Sequence, residues 1–427
     1  MGEKMAFVET AAIGVSKLLP TRQRKMTSPT EKPFLLPKRN PPSTQMSTKI
    51  RQQPSSTSSN TRGGFRFLER PQFIFPLLVQ VAQTVWYRVW RLMMAELAPS
   101  DKSGSYSRPT SAFTGRLSEY SVSESDDKET EGGRSKNLVL FAGIECPWCH
   151  RILLLRELLG LQEMEVRWCK AGKTGLWELM EETTMNGKRI KTLRDVYRVY
   201  ENSFSGRATA PLLIDTDRKM VLCNESSEML EYLPQTFDKQ DGRKVNDDVV
   251  VCLRPAQRNQ WGIDPERLND LCEQIYSKVN NGVYKCGFAQ TQSAYNTAVT
   301  SLFQTLDLLE SILSETRFLL HDKVVTEADV RLFPTICRFD SVYATLFKAN
   351  LKTIATDYPN MLGWARDLYS IPGVASTCDV ERTKESYFSR LFPLNPGGVV
   401  PVGPEIDFSA PTNRSEMGRK VKSAVLS

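Results

Sequence analysis

The sequence Cys-Pro-Trp-Cys-His-Arg begins at Cys146 and contains a second cysteine, Cys149. The apolar residues 137–143 precede it and predict a buried strand, and the helical pattern that follows it ends at Gly160. Cys146 is therefore expected at the N-cap of a helix, with Pro147 at the first helical position. Unpaired backbone N–H groups and the helix dipole favour a thiolate there, and a thiolate is the nucleophile of thiol–disulfide chemistry.

Two other interpretations of the C-x-x-C spacing are weaker. A structural zinc site needs four nitrogen or sulfur ligands at suitable spacing, whereas the chain has no other C-x-x-C and only two histidines, His150 and His321. Two inert buried cysteines would leave the order of strand, Cys-Pro and helix unexplained, since that order is typical of thioredoxin-like redox sites. The sequence therefore predicts redox chemistry and no bound metal.

Composition limits the remaining classes. A chain of 427 residues can form two or three domains. The nine cysteines are odd in number and absent before Cys146, which indicates a reducing compartment rather than a disulfide framework. The net charge of +7 comes from the part before residue 136, and the rest of the chain is close to neutral. No basic cluster that would bind nucleic acid is predicted on the folded part.

The first 65 residues have a composition of their own. Residues 1–65 are rich in Ser, Thr, Pro, Lys and Arg and contain few acidic residues. This composition is typical of an organellar transit peptide, and most of all of a plastid one, although a plain disordered segment is the alternative. We expect localisation to the plastid (chloroplast), with the mitochondrion or the cytoplasm as alternatives.

Residues 66–135 are interpreted as an apolar arm followed by a polar linker. The arm, residues 73–97, has too short an uninterrupted apolar run to span a bilayer. It fits either an interfacial helix in peripheral contact with a membrane or an arm packed on the protein's own body. Residues 100–135 are polar, include an acidic run and are predicted to be linker.

Residues 136–240 predict one α/β domain. After the helix at Cys146, the predicted elements are a strand at 164–169, a long polar loop at 172–190, a helix at 192–201, a hairpin at 210–223 and a helix at 228–233. This order of strands and helices is thioredoxin-like. Residues 250–392 predict an all-helical domain, in which Thr326 to Asp329 form a capping box, and 393–427 predict an extended tail rich in Pro and Gly.

The chain resembles the Xi-class glutathione transferases, which are the glutathionyl-hydroquinone reductases. The motifs that carry the resemblance are the hexapeptide at 146–151, Ser-Gly-Arg at 205–207, Asn-Glu-Ser-Ser at 224–227, Asn-Asn-Gly-Val-Tyr-Lys at 280–285, the segment 326–333, Arg-Phe-Asp at 338–340 and the segment 395–404. The resemblance covers about 137–407, with a weaker echo at 108–113. It implies a thioredoxin-like glutathione-binding domain, an all-α glutathione-transferase C-terminal domain and a homodimer.

The resemblance also implies roles for individual residues. Cys146 would be the nucleophile, and the Ala210–Pro211 bond would be cis. The catalytic residues would be Cys146, Tyr284, Tyr343 and Tyr387, of which the tyrosines would line a hydroquinone pocket. The residues that contact glutathione would be Trp177, Arg207, Ala208, Thr209, Ala210, Glu225 and Ser226, although Trp177 is displaced by one residue within its motif.

The implied activity is the glutathione-dependent reduction of S-glutathionyl hydroquinones through a mixed disulfide on Cys146. The partners would be glutathione, as co-substrate, and glutathionylated quinones. Three departures from the family are Cys149 in place of a small residue such as alanine, Ala208 and Ala210 in place of valines, and His321 in place of a glycine. Cys149 is a candidate resolving thiol. The alternative activity is therefore that of a dithiol thiol-transferase or dehydroascorbate reductase that uses Cys146 and Cys149. A non-catalytic interaction module is a third reading, disfavoured because a scaffold needs no activated thiol.

Overall fold

The computed structural model describes residues 74–120, 137–172, 175–237, 243–246 and 248–417, with only the backbone at 74, 243–246 and 255–257. The predicted transit-like segment 1–65 lies outside these residues. The described residues fall into two units, 74–85 and 86–417. The first helix, α1, runs over Ile74–Leu97 and crosses this boundary. Among the residues that the structure describes, no helix is both long enough and apolar enough to cross a bilayer.

The α/β part is a six-stranded sheet with helices. Its elements in chain order are β1 Leu138–Gly143, α2 Pro147–Leu159, β2 Glu165–Ala171, β3 Trp177–Met185, β4 Lys188–Thr192, α3 Leu193–Tyr200, β5 Leu212–Asp215, β6 Met220–Cys223 and α4 Ser226–Thr236. The strand order is β4-β3-β2-β1-β5-β6. Strand β1 is parallel to β2 and antiparallel to β5, and all of its residues are buried, as expected for a central strand read as a continuous apolar run.

The predicted polar loop at 172–190 is wrong. Residues 177–192 form the hairpin of β3 and β4, which extends one edge of the sheet. The turn residues Asn186 and Gly187 have φ values of 49° and 72°. Such values suit a two-residue type I′ hairpin turn, for which Asn-Gly is a preferred sequence. The dipeptide was therefore a usable signal, although the flanking residues are too polar to stand out as strands.

The helical part begins with a small sheet. Strands β7 Arg243–Asn246 and β8 Val249–Val251 pair with each other, and β8 pairs with β9, Val324–Val325. The main helices are α5 Pro265–Gln274, α6 Asn281–Phe288, α7 Gln292–Glu315, α8 Glu327–Ile336, α9 Pro359–Tyr369 and α10 Val380–Arg390. Two π-helical segments, Ile275–Asn280 and Phe339–Tyr343, lie before α6 and after α8. The predicted α/β thioredoxin-like domain followed by an all-α domain is confirmed, except that the small sheet was not foreseen.

The capping box at the start of helix α8 also connects α8 to helix α9. The Asp329 carboxylate accepts hydrogen bonds from the backbone and hydroxyl of Thr326 and from Trp364 Nε1, the last at 2.9 Å. Burial raises the pKa of Asp329, although these donors favour its ionised form. The motif that resembles the family therefore has a structural role, because it fixes helix α9 against α8.

Part of the segment interpreted as polar linker is packed into the protein. The side chains of Tyr106, Phe113, Leu117 and Tyr120 are all buried in the core. Arg108 lies between these buried residues and contacts Asn281, with 3.2 Å between Nη1 and Oδ1. The apolar residues are too widely spaced in a polar sequence to indicate burial by periodicity. Residues 121–136, which include most of the acidic run, lie outside the described part.

Candidate functional site

Cys146 lies in the turn between strand β1 and helix α2. It is the N-cap residue, with Pro147 at the first helical position, and the Cys149 backbone N–H donates to its Sγ across 3.4 Å. Gly160 ends the helix in the left-handed conformation with φ 65°. The Cys146 side chain is 2% exposed, and its Sγ lies 3.7 Å from the Ala210 carbonyl oxygen. The predicted placement of this sulfur at a helix N-terminus is confirmed.

Cys149 lies one helical turn further on and is fully buried. Its sulfur accepts a hydrogen bond from the Gly143 N–H at 3.3 Å. Burial and a hydrogen bond with the Cys146 side chain raise the pKa of Cys149 well above its ordinary value. Cys149 is therefore a neutral thiol at neutral pH, and its S–H can donate a hydrogen bond to the sulfur of Cys146.

The segment before Pro211 approaches the thiol from another side. The Ala210–Pro211 peptide bond is cis, as expected. Thr209 is fixed by two hydrogen bonds, from the Tyr197 hydroxyl to its carbonyl at 2.9 Å and from Asn224 Nδ2 to its Oγ1 at 3.1 Å. Ala208 and Ala210 are buried, whereas Arg207 is half-buried and donates to the Glu96 carbonyl.

Glu225 and Ser226 lie at the N-terminus of helix α4. The Glu225 carboxylate caps the helix and accepts from the Ser227 N–H at 2.9 Å and from its hydroxyl at 2.7 Å. Burial raises the pKa of Glu225, against the hydrogen bonds from Ser227 and the charges of Arg108 and Arg151. Ser226 is buried, and its hydroxyl accepts from Arg151 at 3.4 Å.

Two arginines that the sequence analysis did not assign to the site lie beside Trp148. The guanidinium carbons of Arg108 and Arg151 are each 4.3 Å from the centre of a Trp148 ring, which is a cation–π arrangement on one indole. Burial and the charge of Arg331 lower the pKa of Arg151 to about 9, so it remains a cation at neutral pH. Arg151, which is buried, and Arg108, which is half-buried, lie near the carboxylate of Glu225, so this region suits an additional anionic group.

The three predicted tyrosines come together although they lie far apart in the chain. Tyr284 comes from α6, Tyr343 from a π-helical segment and Tyr387 from α10. The hydroxyls of Tyr284 and Tyr387 are 2.6 Å apart, and the rings of Tyr343 and Tyr387 have centroids 5.9 Å apart. Phe347 packs against all three rings, with centroid separations of 5.1 to 6.0 Å.

The three phenols of the tyrosine cluster are protonated at neutral pH. Burial, together with the neighbouring Tyr343 and Cys146, raises the pKa of Tyr284 well above its ordinary value. Burial raises the pKa of Tyr343 to about 12 and raises that of Tyr387 as well. The Cys146 sulfur contributes to the rise in the pKa of Tyr284, so the sulfur and this phenol interact electrostatically. The cluster can therefore supply a neutral phenolic proton near a nucleophilic sulfur.

Comparison with known proteins identifies the family. Residues 145–236 match the family model of the glutathione S-transferase N-terminal domain, and 292–367 match that of the C-terminal domain. Glutathionyl-hydroquinone reductase PcpF of Sphingobium chlorophenolicum is 40% identical over 271 residues, which are 62% of this chain and 82% of PcpF. The chain belongs to the Xi-class glutathione transferase family.

Solved structures of this family agree with the fold. The Xi enzyme of Phanerochaete chrysosporium is 30% identical with a TM-score of 0.59, and the match covers 74% of this chain and 97% of that one. The glutathione-bound structure of YqjG from Escherichia coli K-12 is 33% identical with a TM-score of 0.57, and the match covers 67% of this chain and 92% of that one.

Trp177, one of the predicted glutathione contacts, is buried in this structure. Trp177 begins strand β3 and is 2% exposed, with its ring packed over Gly143. In this arrangement the ring offers almost no surface to a ligand. The other predicted residues lie in the segment before Pro211, at the start of α4 and in the tyrosine cluster, and among them Ala210 has its carbonyl oxygen 3.7 Å from the Cys146 sulfur. In the part of the chain that the structure describes, no group of three side chains could hold a metal ion.

The contact between Gly143 and Trp177 leads to a stability prediction. A Cβ atom on Gly143 would lie 2.3 Å from Cζ3 of the indole, so Gly143→Ala forces the rigid ring or the strand to move. We expect a loss of about 1–3 kcal/mol in the free energy of unfolding, as for other overpacked cores. Denaturant titration measures it, with Gly397→Ala as the control, because there the nearest neighbour atom would be 3.7 Å away. Equal stabilities of the two variants would contradict the prediction.

Proposed function

We propose that the protein reduces S-glutathionyl hydroquinones to hydroquinones, with glutathione as the reductant and a mixed disulfide on Cys146 as the intermediate. Its family membership makes it a glutathione-dependent oxidoreductase. The name of its relative PcpF, a glutathionyl-hydroquinone reductase, supports the finer assignment. The observation that carries the proposal is the sulfur of Cys146 at a helix N-terminus beside buried, protonated tyrosines.

The charged groups beside Trp148 fit glutathione. The tripeptide has two carboxylates and one amino group, and the region has two cations, the half-buried Arg108 and the buried Arg151, with the carboxylate of Glu225. The N-terminus of α4 at Ser226 also favours a carboxylate. In this proposal the backbone at Thr209 and Ala210 lies along the peptide part of the ligand, and the half-buried Arg207 is at the outer end of that segment.

The first chemical step breaks the carbon–sulfur bond. Tyr284 donates its phenolic proton to the ring carbon that bears the sulfur, and a ring hydroxyl of the substrate returns its own proton to the tyrosine, which gives a keto tautomer. The Cys146 thiolate then attacks the glutathionyl sulfur, and the electron pair of the broken carbon–sulfur bond passes into the ring to give a phenolate, which takes up a proton from water to become the hydroquinone. The products are free hydroquinone and a disulfide between Cys146 and glutathione.

The second step restores the enzyme. A second glutathione, as thiolate, attacks the glutathione sulfur of the mixed disulfide and releases oxidised glutathione and the Cys146 thiolate. The substrate gains two electrons and two glutathione units lose them, so the reaction balances without a metal or a nicotinamide. The neutral thiol of Cys149 stabilises the regenerated thiolate by donating a hydrogen bond to it.

A comparison of two substrates tests the proposal. We would measure turnover with glutathione and either glutathionyl-menadione or dehydroascorbate. A reductase of the proposed kind consumes glutathionyl-menadione and releases menadiol and oxidised glutathione in equal amounts. Turnover of dehydroascorbate alone would favour the dithiol reading, and failure to bind immobilised glutathione would favour a non-catalytic module.

The second candidate function is a dithiol thiol-transferase or dehydroascorbate reductase in which Cys149 resolves the mixed disulfide. It is favoured by one observation, the hydrogen bond between the two thiols. It is opposed by the complete burial of Cys149 and its raised pKa, since a neutral thiol is a poor nucleophile. We therefore rank it second.

Replacing Cys149 distinguishes the two routes. If Cys149 acts only as a buried donor, Cys149→Ala retains turnover with glutathione within about a factor of ten, since one neutral hydrogen bond is worth about 1 kcal/mol. Mass spectrometry after one equivalent of glutathionyl-menadione should then show the same single glutathione adduct in wild type and variant. A wild type that loses two hydrogens without an adduct, while the variant keeps the adduct, would establish Cys149 as the resolving thiol.

We also propose that residues 1–65 direct the protein to a plastid. Their basic, hydroxyl-rich and acid-poor composition supports this proposal. A fluorescent reporter that carries this segment should accumulate in plastids. Accumulation in mitochondria, or a diffuse signal in the cytosol, would select one of the alternatives.

Helix α1 supports a proposal about contact with a membrane. Apolar side chains on it are exposed, among them Phe75, Leu77, Leu78, Val85 and Leu92. We propose that this surface contacts a membrane peripherally. On the separate ground of the family resemblance, we also propose that the protein is a homodimer. Sedimentation with anionic vesicles tests the first proposal, and the mass in solution measured by light scattering tests the second.

A further inference from the structure

A second pair of cysteines lies on the far side of the active-site helix. Both contact the imidazole of His150, with Cys337 Sγ 4.0 Å from Nδ1 and Cys378 Sγ 3.7 Å from Nε2. Cys337 follows helix α8, and Cys378 lies just before α10. None of the roles assigned above uses these two sulfurs.

Hydrogen bonds fix the tautomer of the histidine. Arg338 Nη1 lies 2.7 Å from Nδ1 and can only donate, so Nδ1 accepts. The proton is therefore on Nε2, which donates to the Thr377 hydroxyl at 2.9 Å. Burial and the charge of Arg338 lower the pKa of His150, so the ring is neutral. The positive charge nearest to the thiols is thus that of Arg338, which donates to Cys337 Sγ at 3.3 Å.

The two thiols differ in their protonation. Burial disfavours the thiolate of Cys337, but a hydrogen bond from Cys378 and the charge of Arg338 outweigh it and hold the pKa of Cys337 well below its usual range. The hydrogen bond with Cys337 and burial raise the pKa of Cys378. A thiolate next to a neutral thiol is the division of roles that disulfide formation requires.

The pair is accessible from outside. Both cysteines line a cavity of about 460 Å³. Cys337 is 3% exposed, whereas Cys378 is half-buried. The cavity is also lined by four carboxylate residues, Asp379, Glu381, Glu405 and Asp407. A wall of this charge repels anionic oxidants such as glutathione disulfide and admits a small neutral molecule.

We propose that Cys337 and Cys378 form a second redox site, separate from Cys146, which hydrogen peroxide converts to a disulfide. The contacts of both sulfurs with the imidazole of His150 and the cavity that both cysteines line carry this inference. It does not depend on the proposed reductase activity, because Cys146 and Cys149 take no part in it.

The oxidation balances in two steps. The Cys337 thiolate attacks one peroxide oxygen, the oxygen–oxygen bond breaks, and the hydroxide that leaves takes up a proton as water. This gives a sulfenic acid on Cys337. The sulfur of Cys378 then attacks the sulfenic sulfur, the sulfur–oxygen bond breaks, and the hydroxide leaves as water with the Cys378 proton. Overall, two thiols and one peroxide give one disulfide and two waters.

The test uses the full chain with the active-site thiols removed. In the variant Cys146→Ala/Cys149→Ala, one equivalent of hydrogen peroxide should produce a disulfide between Cys337 and Cys378. Mass spectrometry of a digest made without reductant detects the linked peptides. The added replacement Cys286→Ser is the matched control, because Cys286 is buried and lies in a different helix, α6, so the linked peptides should persist.

Single replacements separate the two steps. With Cys378→Ser added, oxidation should stop at the sulfenic acid, and dimedone should label Cys337. With Cys337→Ser added, neither the link nor a dimedone adduct on Cys378 should form. The wild-type digest repeats the measurement without any substitution, so a variant that folds poorly does not remove the test.

Three outcomes would overturn the proposal. One is the absence of linked peptides from Cys337 and Cys378 at one equivalent of peroxide. Another is dimedone labelling that remains unchanged when Cys337 is replaced. The third is equally fast formation of the same disulfide with glutathione disulfide, because the acidic cavity then selects no neutral oxidant.

Discussion

Replacing Cys146 by alanine should lower turnover of glutathionyl-menadione by roughly 1000-fold or more, as the loss of a covalent nucleophile does in other enzymes. The sulfur is the only group at the N-cap of α2 that can accept the glutathionyl unit in the proposed mechanism. Cys149 cannot take its place, because it is fully buried and its pKa is raised well above the ordinary value. We would measure product release by absorbance and the mixed disulfide by intact mass.

The matched control is Cys272→Ala. Cys272 is also buried, but it lies in helix α5, and its replacement should leave turnover close to wild type. Both variants should retain the same circular dichroism spectrum, and Cys146→Ala should still bind immobilised glutathione, because Arg108, Arg151 and Glu225 remain. Turnover by Cys146→Ala within tenfold of wild type would show that another group is the nucleophile.

The parts of the site that local sequence determines could be predicted. The strand, the N-cap at Cys146, the proline at the first helical position and the glycine that ends α2 all follow from neighbouring residues. The capping box at Thr326 is equally local. In each of these places the backbone geometry and the hydrogen bonds involve residues within a few positions of each other, so composition and spacing carry the information.

The parts that depend on distant contacts could not be derived from the residues alone. Tyr284 and Tyr387 are 103 positions apart, and only the family resemblance brought them together before the structure did. The stacking of Arg108 and Arg151 on Trp148 had no local signal, except that one arginine lies in the hexapeptide and the other in the weak echo at 108–113. The pairing of Cys337 with Cys378 around His150 had none.

Tyr284→Phe is the second replacement with a large expected effect. The phenylalanine ring keeps the packing against Phe347 and Phe288 but removes the proton donor. If Tyr284 protonates the substrate ring, kcat should fall by roughly 10²- to 10⁴-fold, the usual contribution of a general acid. KM should change little, because the aromatic surface is unchanged. The control Tyr358→Phe removes a buried phenol that donates to Asp307 at 2.8 Å, outside the cluster, and should leave kcat unchanged.

The pH profile distinguishes a proton donor from a packing residue. Burial raises the pKa of Tyr284 well above its ordinary value, so the phenol stays protonated and active up to at least about pH 10. No loss of kcat in wild type below that pH should therefore come from this tyrosine. The raised pKa also means that the folded state retains this proton to higher pH than the unfolded chain does, so the contribution of Tyr284 to stability should be lost only as the pH rises above about 10.

The two half-reactions allow a sharper test. The mixed disulfide on Cys146 can be prepared with oxidised glutathione, and its reduction by glutathione can be followed alone. This step involves no carbon–sulfur bond, so Tyr284→Phe should reduce it at a rate within about threefold of wild type, while the first half-reaction is slowed as strongly as kcat. Equal slowing of both half-reactions would instead assign Tyr284 to the placement of Cys146, because a displaced sulfur impairs every step that uses it.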